Sequence, residues 1–195
     1  MGKWSRTFRI WHWLFALTFV FMSTTVLVRK TVMGKDQASI IITQNLQNLN
    51  IDISKDDAVL LARKLRTPLW QWHIWGGYLF AILVAVRLVL ISTHSGKRNY
   101  QNCDEKSLHK KMVSGVYISI YTFAFILTIT GLGIKFDEEI GISKEFKSFL
   151  KETHEFTFYL MLPFIAAHIG GVIIAEHRNE QGIISDMING GKREK

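Results

Sequence analysis

The chain has 195 residues, 48% of them hydrophobic and 12% aromatic, with 21% charged residues and a formal net charge of +8. That length leaves room for one domain or one membrane bundle and no second large unit. The charges cluster between long uncharged windows, so the basic balance is read as the loop charge of a membrane protein and not as a nucleic-acid surface.

Four windows lack Asp, Glu, Lys and Arg altogether: residues 10–28, 67–86, 112–134 and 156–175. Each holds 19 to 23 residues, the length of a helix that crosses a bilayer and too long for a buried strand. The pattern predicts an all-α integral membrane four-helix bundle, a single domain over 1–195 with spans at about 8–28, 69–92, 112–134 and 152–176.

The first span follows a basic start that includes Lys3, Arg6 and Arg9. No small-residue cleavage pattern follows it, and Met22, Ser23, Thr24 and Thr25 continue the helix, so it is read as a retained span rather than a signal peptide. Trp4 suits an interfacial position there. The connection from 29 to 66 is long for a bundle. It contains two helical stretches, 36–49 and 54–66, the second opening on Ser54 and Asp57 in capping-box spacing. Such a loop lies on the membrane surface or under a partner.

Thr67 and Pro68 read as the N-cap and first turn of the second span, which carries His73 among three tryptophans, then Gly76, Gly77 and Arg87. The third span has no histidine but carries Gly131 and Gly133. Ser143 is placed to cap a helix that runs into the fourth span, and Pro163 is expected to kink that span. The tail from His177 onward reads as short and polar. With the N-terminus inside, the cytoplasmic segments hold 13 Lys and Arg against 11 outside, which favours both termini cytoplasmic and places the long loop on the outer face.

An ionisable residue inside a span is a functional hypothesis, and four histidines qualify: His12, His73, His154 and His168. His94, His109 and His177 fall in inner loops or at their edges and read as solvated. His154 and His168 are fourteen residues apart, which on a helix returns them to within roughly 40° of one face and separates them by about 21 Å. Depth then pairs His12 with His168 toward the inner face and His73 with His154 toward the outer face. Both pairings improve if the fourth helix slides inward by about 8 to 12 Å.

Two imidazoles at each of two depths suit two b-type haems. Zinc usually takes three or four protein ligands on one ion, and a proton relay does not bridge a gap of about 21 Å. Isolated packing histidines are the competing reading. The lone Cys103, without a C-x-x-C-H, excludes a disulfide framework and a covalently attached c-type haem. Gly77 and Gly171, with Gly76 and Gly170, leave room for a flat macrocycle or permit close helix packing. Arg87 lies fourteen residues after His73, where it either meets a carboxylate of the inner cofactor or snorkels to the cytoplasmic interface. The tryptophans beside the histidines read mostly as interfacial belts.

These residues resemble a known family. R-I-W-H-W in the first span, H-I-W-G-G followed by V-R-L in the second, T-G-L-G in the third and H-x13-H-I-G-G in the fourth are similar to the bacterial cytochrome b561 and nickel-hydrogenase cytochrome b family. That family also takes in the membrane cytochrome subunit of formate dehydrogenase. The resemblance implies four helices around two haems b, with His73 and His154 holding the outer haem and His12 and His168 the inner one.

It further implies a respiratory-chain component of the bacterial cytoplasmic (inner) membrane. Such a protein carries electrons between a periplasmic redox subunit or multihaem cytochrome and membrane quinone, as the anchor of a larger oxidoreductase. Two alternatives stand beside it: a stand-alone oxidoreductase passing electrons from a small periplasmic donor such as superoxide to quinone, and a haem-free transporter or assembly protein.

Overall fold

A computed structural model describes residues 4–92, 108–178 and 181–190, without the side chains of 92 and 108–110. Cys103, His94, the side chain of His109 and most of the connection between the second and third spans lie outside the described residues. Seven helices follow in order: α1 (Arg6–Lys30), α2 (Lys35–Asn48), α3 (Lys55–Leu65), α4 (Thr67–Ser92), α5 (Leu108–Lys135), α6 (Lys144–Arg178) and α7 (Ile183–Asn189). No strand occurs among the described residues.

Four helical stretches are long and apolar enough to cross a membrane, as the uncharged windows predict: Arg6–Lys30, Lys55–Ile91, Lys111–Lys135 and Lys144–Arg178. The last, at 35 residues, spans about 52 Å at the helical rise and so outreaches a hydrocarbon core of about 30 Å. Hydroxyls inside the spans are satisfied within their own helices. Ser23 donates to the Phe19 carbonyl and Thr24 to Val20, both at 2.8 Å, and Thr128 donates to Ala124 at 2.8 Å.

The two helices between the first and second spans form where the composition places them. Ser54 Oγ accepts the Asp57 amide at 3.1 Å and donates to Asp57 Oδ2 at 2.6 Å, so the pair closes the start of α3. Ser39 on α2 and Ala58 and Ala62 on α3 are buried as α2 packs on α3, and their small side chains let the two backbones approach. Ile40, Ile41, Leu60 and Leu61 stay exposed.

Only Arg66 separates α3 from α4. Thr67 is therefore the first residue of α4 and not its N-cap: its hydroxyl donates back to the Arg63 carbonyl at 3.4 Å, tying off α3. Pro68 keeps its expected place in the first turn, where a missing N–H costs little. Ser143 caps α6, its Oγ accepting the Phe146 amide at 3.2 Å. Lys147 pairs with Asp137 across that turn.

The chain divides into two compact units, Phe15–Phe80 and Met1–Leu14 with Ala81–Lys195. In the first, Phe80 stacks on Phe15 with ring centres 4.8 Å apart, and α1 passes close to Gly76, where an added Cβ would meet Met22 Cγ at 3.0 Å.

In the second unit α5 packs along α6. Ile120, Ala124 and Leu127 form one buried stripe of α5, and Leu150, Thr157, Phe158 and Met161 are the buried residues of α6. Phe125, Ile129, Ile169 and Ile173 remain exposed, as a lipid-facing surface requires.

The tail after α6 is more ordered than its polarity suggests. Glu176 accepts the Gly182 and Ile184 amides at 2.9 and 3.0 Å, serving the start of α7. Arg9 and Trp13 then donate to the carbonyls of Ile188 and Met187 at 3.4 and 3.2 Å. The sequence pattern missed α7 because two of its partners, Arg9 and Trp13, lie more than 170 positions away.

Candidate functional site

His12 on α1 and His168 on α6 face each other with ring centres 6.2 Å apart and planes at 65°. Both are partly buried. Aromatic side chains enclose them: Phe8 and Trp13 lie 6.3 and 5.6 Å from the His12 ring, and Tyr117 of α5 lies edge-on to His168 at 5.4 Å.

Two imidazoles ligating one metal from opposite sides, at roughly 2 Å per metal–nitrogen bond, would hold their ring centres about 6 Å apart. The donor set therefore fits one metal held by two nitrogens in an apolar, aromatic surround. Among the described residues no group of three or more His, Cys, Asp or Glu could hold a metal ion, so a zinc-type cage has no counterpart there.

His154, fourteen positions before His168 on α6, meets α5 five residues before the end of that helix. Its Nδ1 is 2.9 Å from Thr130 Oγ1. The Thr130 hydroxyl gives its one proton to backbone carbonyls of its own helix, Ile126 at 2.7 Å and Leu127 at 3.3 Å. It can then only accept from the imidazole. A hydroxyl whose proton is on those carbonyls assigns His154 the Nδ1–H tautomer, with the basic lone pair on Nε2.

Gly131 makes the approach possible: a Cβ there would come within 3.2 Å of His154 Cε1. Two residues on, Gly133 does the same for Leu150, with Cδ1 at 3.0 Å. The Thr130-Gly131-Leu132-Gly133 run of α5 is shaped around the start of the α6 interface.

His73 has the same arrangement on other helices. Thr25 Oγ1 of α1 lies 3.0 Å from His73 Nδ1 and donates its proton to the Met22 carbonyl at 2.7 Å. His73 is accordingly also the Nδ1–H tautomer. Trp70 stacks on its ring at 5.4 Å and 10°, and the Arg29 guanidinium lies 4.9 Å above Trp70. Arg66 donates to the Arg29 carbonyl at 3.0 Å.

Arg87 does not extend alone toward an interface. Its guanidinium carbon lies 4.9 Å over Phe8, 5.2 Å over Trp11 and 4.8 Å over Tyr121, and its Nε is buried without a hydrogen-bond partner. Trp11 is not part of an interfacial belt: it is 4% exposed and donates its indole N–H to the Leu83 carbonyl at 2.7 Å. Trp70, Trp72 and Trp75 are exposed. A Cβ on Gly77 would meet only Met22 Cε, at 3.6 Å, and one on Gly170 or Gly171 would meet nothing within 4 Å.

Sequence reasoning did not single out Thr25 or Thr130. The signal was present, since each is a hydroxyl inside an apolar span within one turn or two of that span's C-terminal end.

Partly buried histidines on membrane-length helices, one pair with ring centres 6.2 Å apart, suit a membrane cytochrome. The chain belongs to the prokaryotic cytochrome b561 family, whose model matches residues 3–190. It is a b-type, haem-binding membrane cytochrome of electron transfer. No curated protein and no solved structure matches the chain.

Proposed function

We propose that the protein is a di-haem cytochrome of the bacterial inner membrane, carrying electrons between a periplasmic redox subunit and the membrane quinone pool as the anchor of a respiratory oxidoreductase. The observation that carries this reading is the 6.2 Å separation of the His12 and His168 rings, which suits two nitrogens on one iron. His12 and His168 hold the inner haem, and His73 and His154 hold the outer one. The second assignment rests on the depth of the two histidines along their spans in the sequence and on the family to which the chain belongs.

When bound, haem b supplies the one-electron iron couple. The chain's own part is ligation, orientation and exclusion of water. Thr25 and Trp70 orient His73, Thr130 orients His154, and Phe8, Trp13 and Tyr117 surround the His12 and His168 rings. Gly171 and Gly77 offer backbone surface that no side chain crowds closely. Arg87 supplies a positive charge near the inner pair, where a haem carboxylate suits it. Both termini lie on the cytoplasmic side, and α2 and α3 lie on the periplasmic side, where a redox subunit docks.

The test is a reduced-minus-oxidised spectrum of the natively purified protein, with haem quantified per chain and co-purifying subunits identified. Two haems b per chain in six-coordinate low-spin form, with a redox subunit attached, are expected. A haem-replete preparation with one haem, or with a five-coordinate spectrum, overturns the di-haem reading. Quinone reduction by superoxide without any attached subunit overturns the anchor role.

A further inference from the structure

The two histidine pairs are not chemically equivalent. His73 and His154 each place Nδ1 at hydrogen-bonding distance from a threonine on a neighbouring helix, at 3.0 and 2.9 Å, and His154 also bonds the Leu127 backbone. His12 and His168 have ring contacts with Phe8, Trp13, Tyr117 and each other, and neither ring nitrogen hydrogen-bonds to a described residue.

A hydrogen bond from the non-ligating nitrogen raises the basicity of the ligating one, and a more basic ligand favours the oxidised iron. Each pair also has a cation nearby: Arg87 lies over Phe8 and Trp11 beside His12, and Arg29 lies over Trp70 beside His73. The threonine contacts are a separate difference, which changes at Thr25 and Thr130 test without altering either charge.

We propose that Thr25 and Thr130 are positioning residues that hold His73 and His154 as strongly donating ligands, giving the haem they ligate the lower of two midpoint potentials. The inference rests on the di-haem reading above, but the hydrogen bonds hold for each histidine by itself. Both threonines act by the same device. Each commits its only proton to a carbonyl of its own helix, so the hydroxyl is held as an acceptor and the imidazole has one way to bond to it.

In an apolar span the alternative for a lone hydroxyl is the same backbone bond without the histidine, as Thr24 and Thr128 show. Those two threonines are natural controls. They make the same bond on the same helices and touch no imidazole in the described structure.

The experiment is a redox titration of the full-length, haem-loaded protein carrying Thr25→Val, Thr130→Val or both, beside Thr24→Val and Thr128→Val. The lower-potential component should move upward by roughly the tenfold in reduced-to-oxidised ratio at the low end of outer-shell effects, equivalent to about 59 mV for one electron. The higher-potential component should stay in place.

Thr25→Ser and Thr130→Ser should titrate as the unaltered protein does, and the Thr24 and Thr128 variants should shift neither component. In the reduced double variant, carbon monoxide should bind the lower-potential haem more readily.

Movement of the higher component, equal movement of both, or no movement in a haem-replete double variant overturns the proposal. A second arm does not depend on the threonine variants folding. His73→Ala should abolish the lower-potential component, and loss of that component in His168→Ala instead overturns the ordering. A preparation with no paired-imidazole spectrum at all fails the di-haem reading first, before any variant is compared.

Discussion

His12 and His168 sit on helices separated by more than a hundred residues of chain, and their ring centres lie 6.2 Å apart. Stacked rings and shared metal ligands both reach such separations, but the planes here stand at 65°, so the contact is not a face-to-face stack. With Tyr117 on one side and Phe8 and Trp13 on the other, the pair is a nitrogen donor set in an apolar shell.

His168→Ala should therefore remove one haem and leave its partner site. Haem content should fall by about half, as expected when one of two axial ligands to one iron is lost, while the other component keeps its low-spin spectrum. Quantifying haem per chain in purified His168→Ala and His12→Ala decides it. Equal loss of both haems in a folded protein would contradict independent sites.

Arg87 is held by aromatic side chains, one of which, Tyr121, also hydrogen-bonds to it. Phe8, Trp11 and Tyr121 all lie within 5.2 Å of its guanidinium carbon, and each contact contributes about 0.5–1 kcal/mol, more where water is excluded. Arg87→Gln should lower stability by about 1–3 kcal/mol, summed from such contacts, seen as a lower midpoint in thermal unfolding in detergent. If the guanidinium also meets a haem carboxylate, the inner haem's potential should fall with the lost charge. Arg87→Lys should restore the potential more fully than the stability, because an ammonium keeps the charge and loses the planar stacking. An unchanged potential in Arg87→Gln would remove the carboxylate role and leave packing.

The spans and their histidines were legible in the sequence because charge is excluded from hydrocarbon over a fixed length, and because a fourteen-residue spacing is a helical coincidence of face. Ser54 with Asp57 and Ser143 were legible for a local reason, as a cap depends on residues three apart. Thr67 misled because local pattern cannot tell that α3 ends only one residue earlier.

The least legible features were those that depend on two helices meeting. Thr130 reaches His154 across 24 positions and Thr25 reaches His73 across 48, and neither threonine departs from the ordinary hydroxyl content of a span. Trp11 looked interfacial by type, and only its bond to the Leu83 carbonyl shows it to be core. The T-G-L-G run was noticed for its glycines. Its threonine turns out to meet His154, and the glycines clear the way for that ring and for Leu150.

The α2–α3 hairpin should be separable from the histidine sites. Ser54→Ala removes an amide acceptor and leaves Asp57 without its reciprocal partner, a loss of about 0.5–2 kcal/mol. Hydrogen exchange at the start of α3 should quicken while the haem spectrum stays unchanged. A spectral change would mean that the hairpin supports a histidine site directly.

Gly131→Ala is the sharpest probe of the His154 environment that leaves every ligand and hydrogen-bonding group in place. The added methyl would sit 3.2 Å from His154 Cε1, closer than carbon contacts of about 3.5–4.0 Å prefer. Something must give. Thr130 is held to its own helix by the carbonyl of Ile126, and His154 is held to Thr130, so the ring is pushed while its anchor stays.

The expected result is a folded protein in which one haem is disturbed, with a broadened or partly high-spin spectrum for the lower-potential component and a stability loss of about 1–3 kcal/mol from overpacking. The parallel change Gly133→Ala would press at 3.0 Å on Leu150 Cδ1, an apolar side chain. It should cost similar stability without altering either haem spectrum. Spectral change in Gly133→Ala and none in Gly131→Ala would place the haem-sensitive contact one turn away from His154.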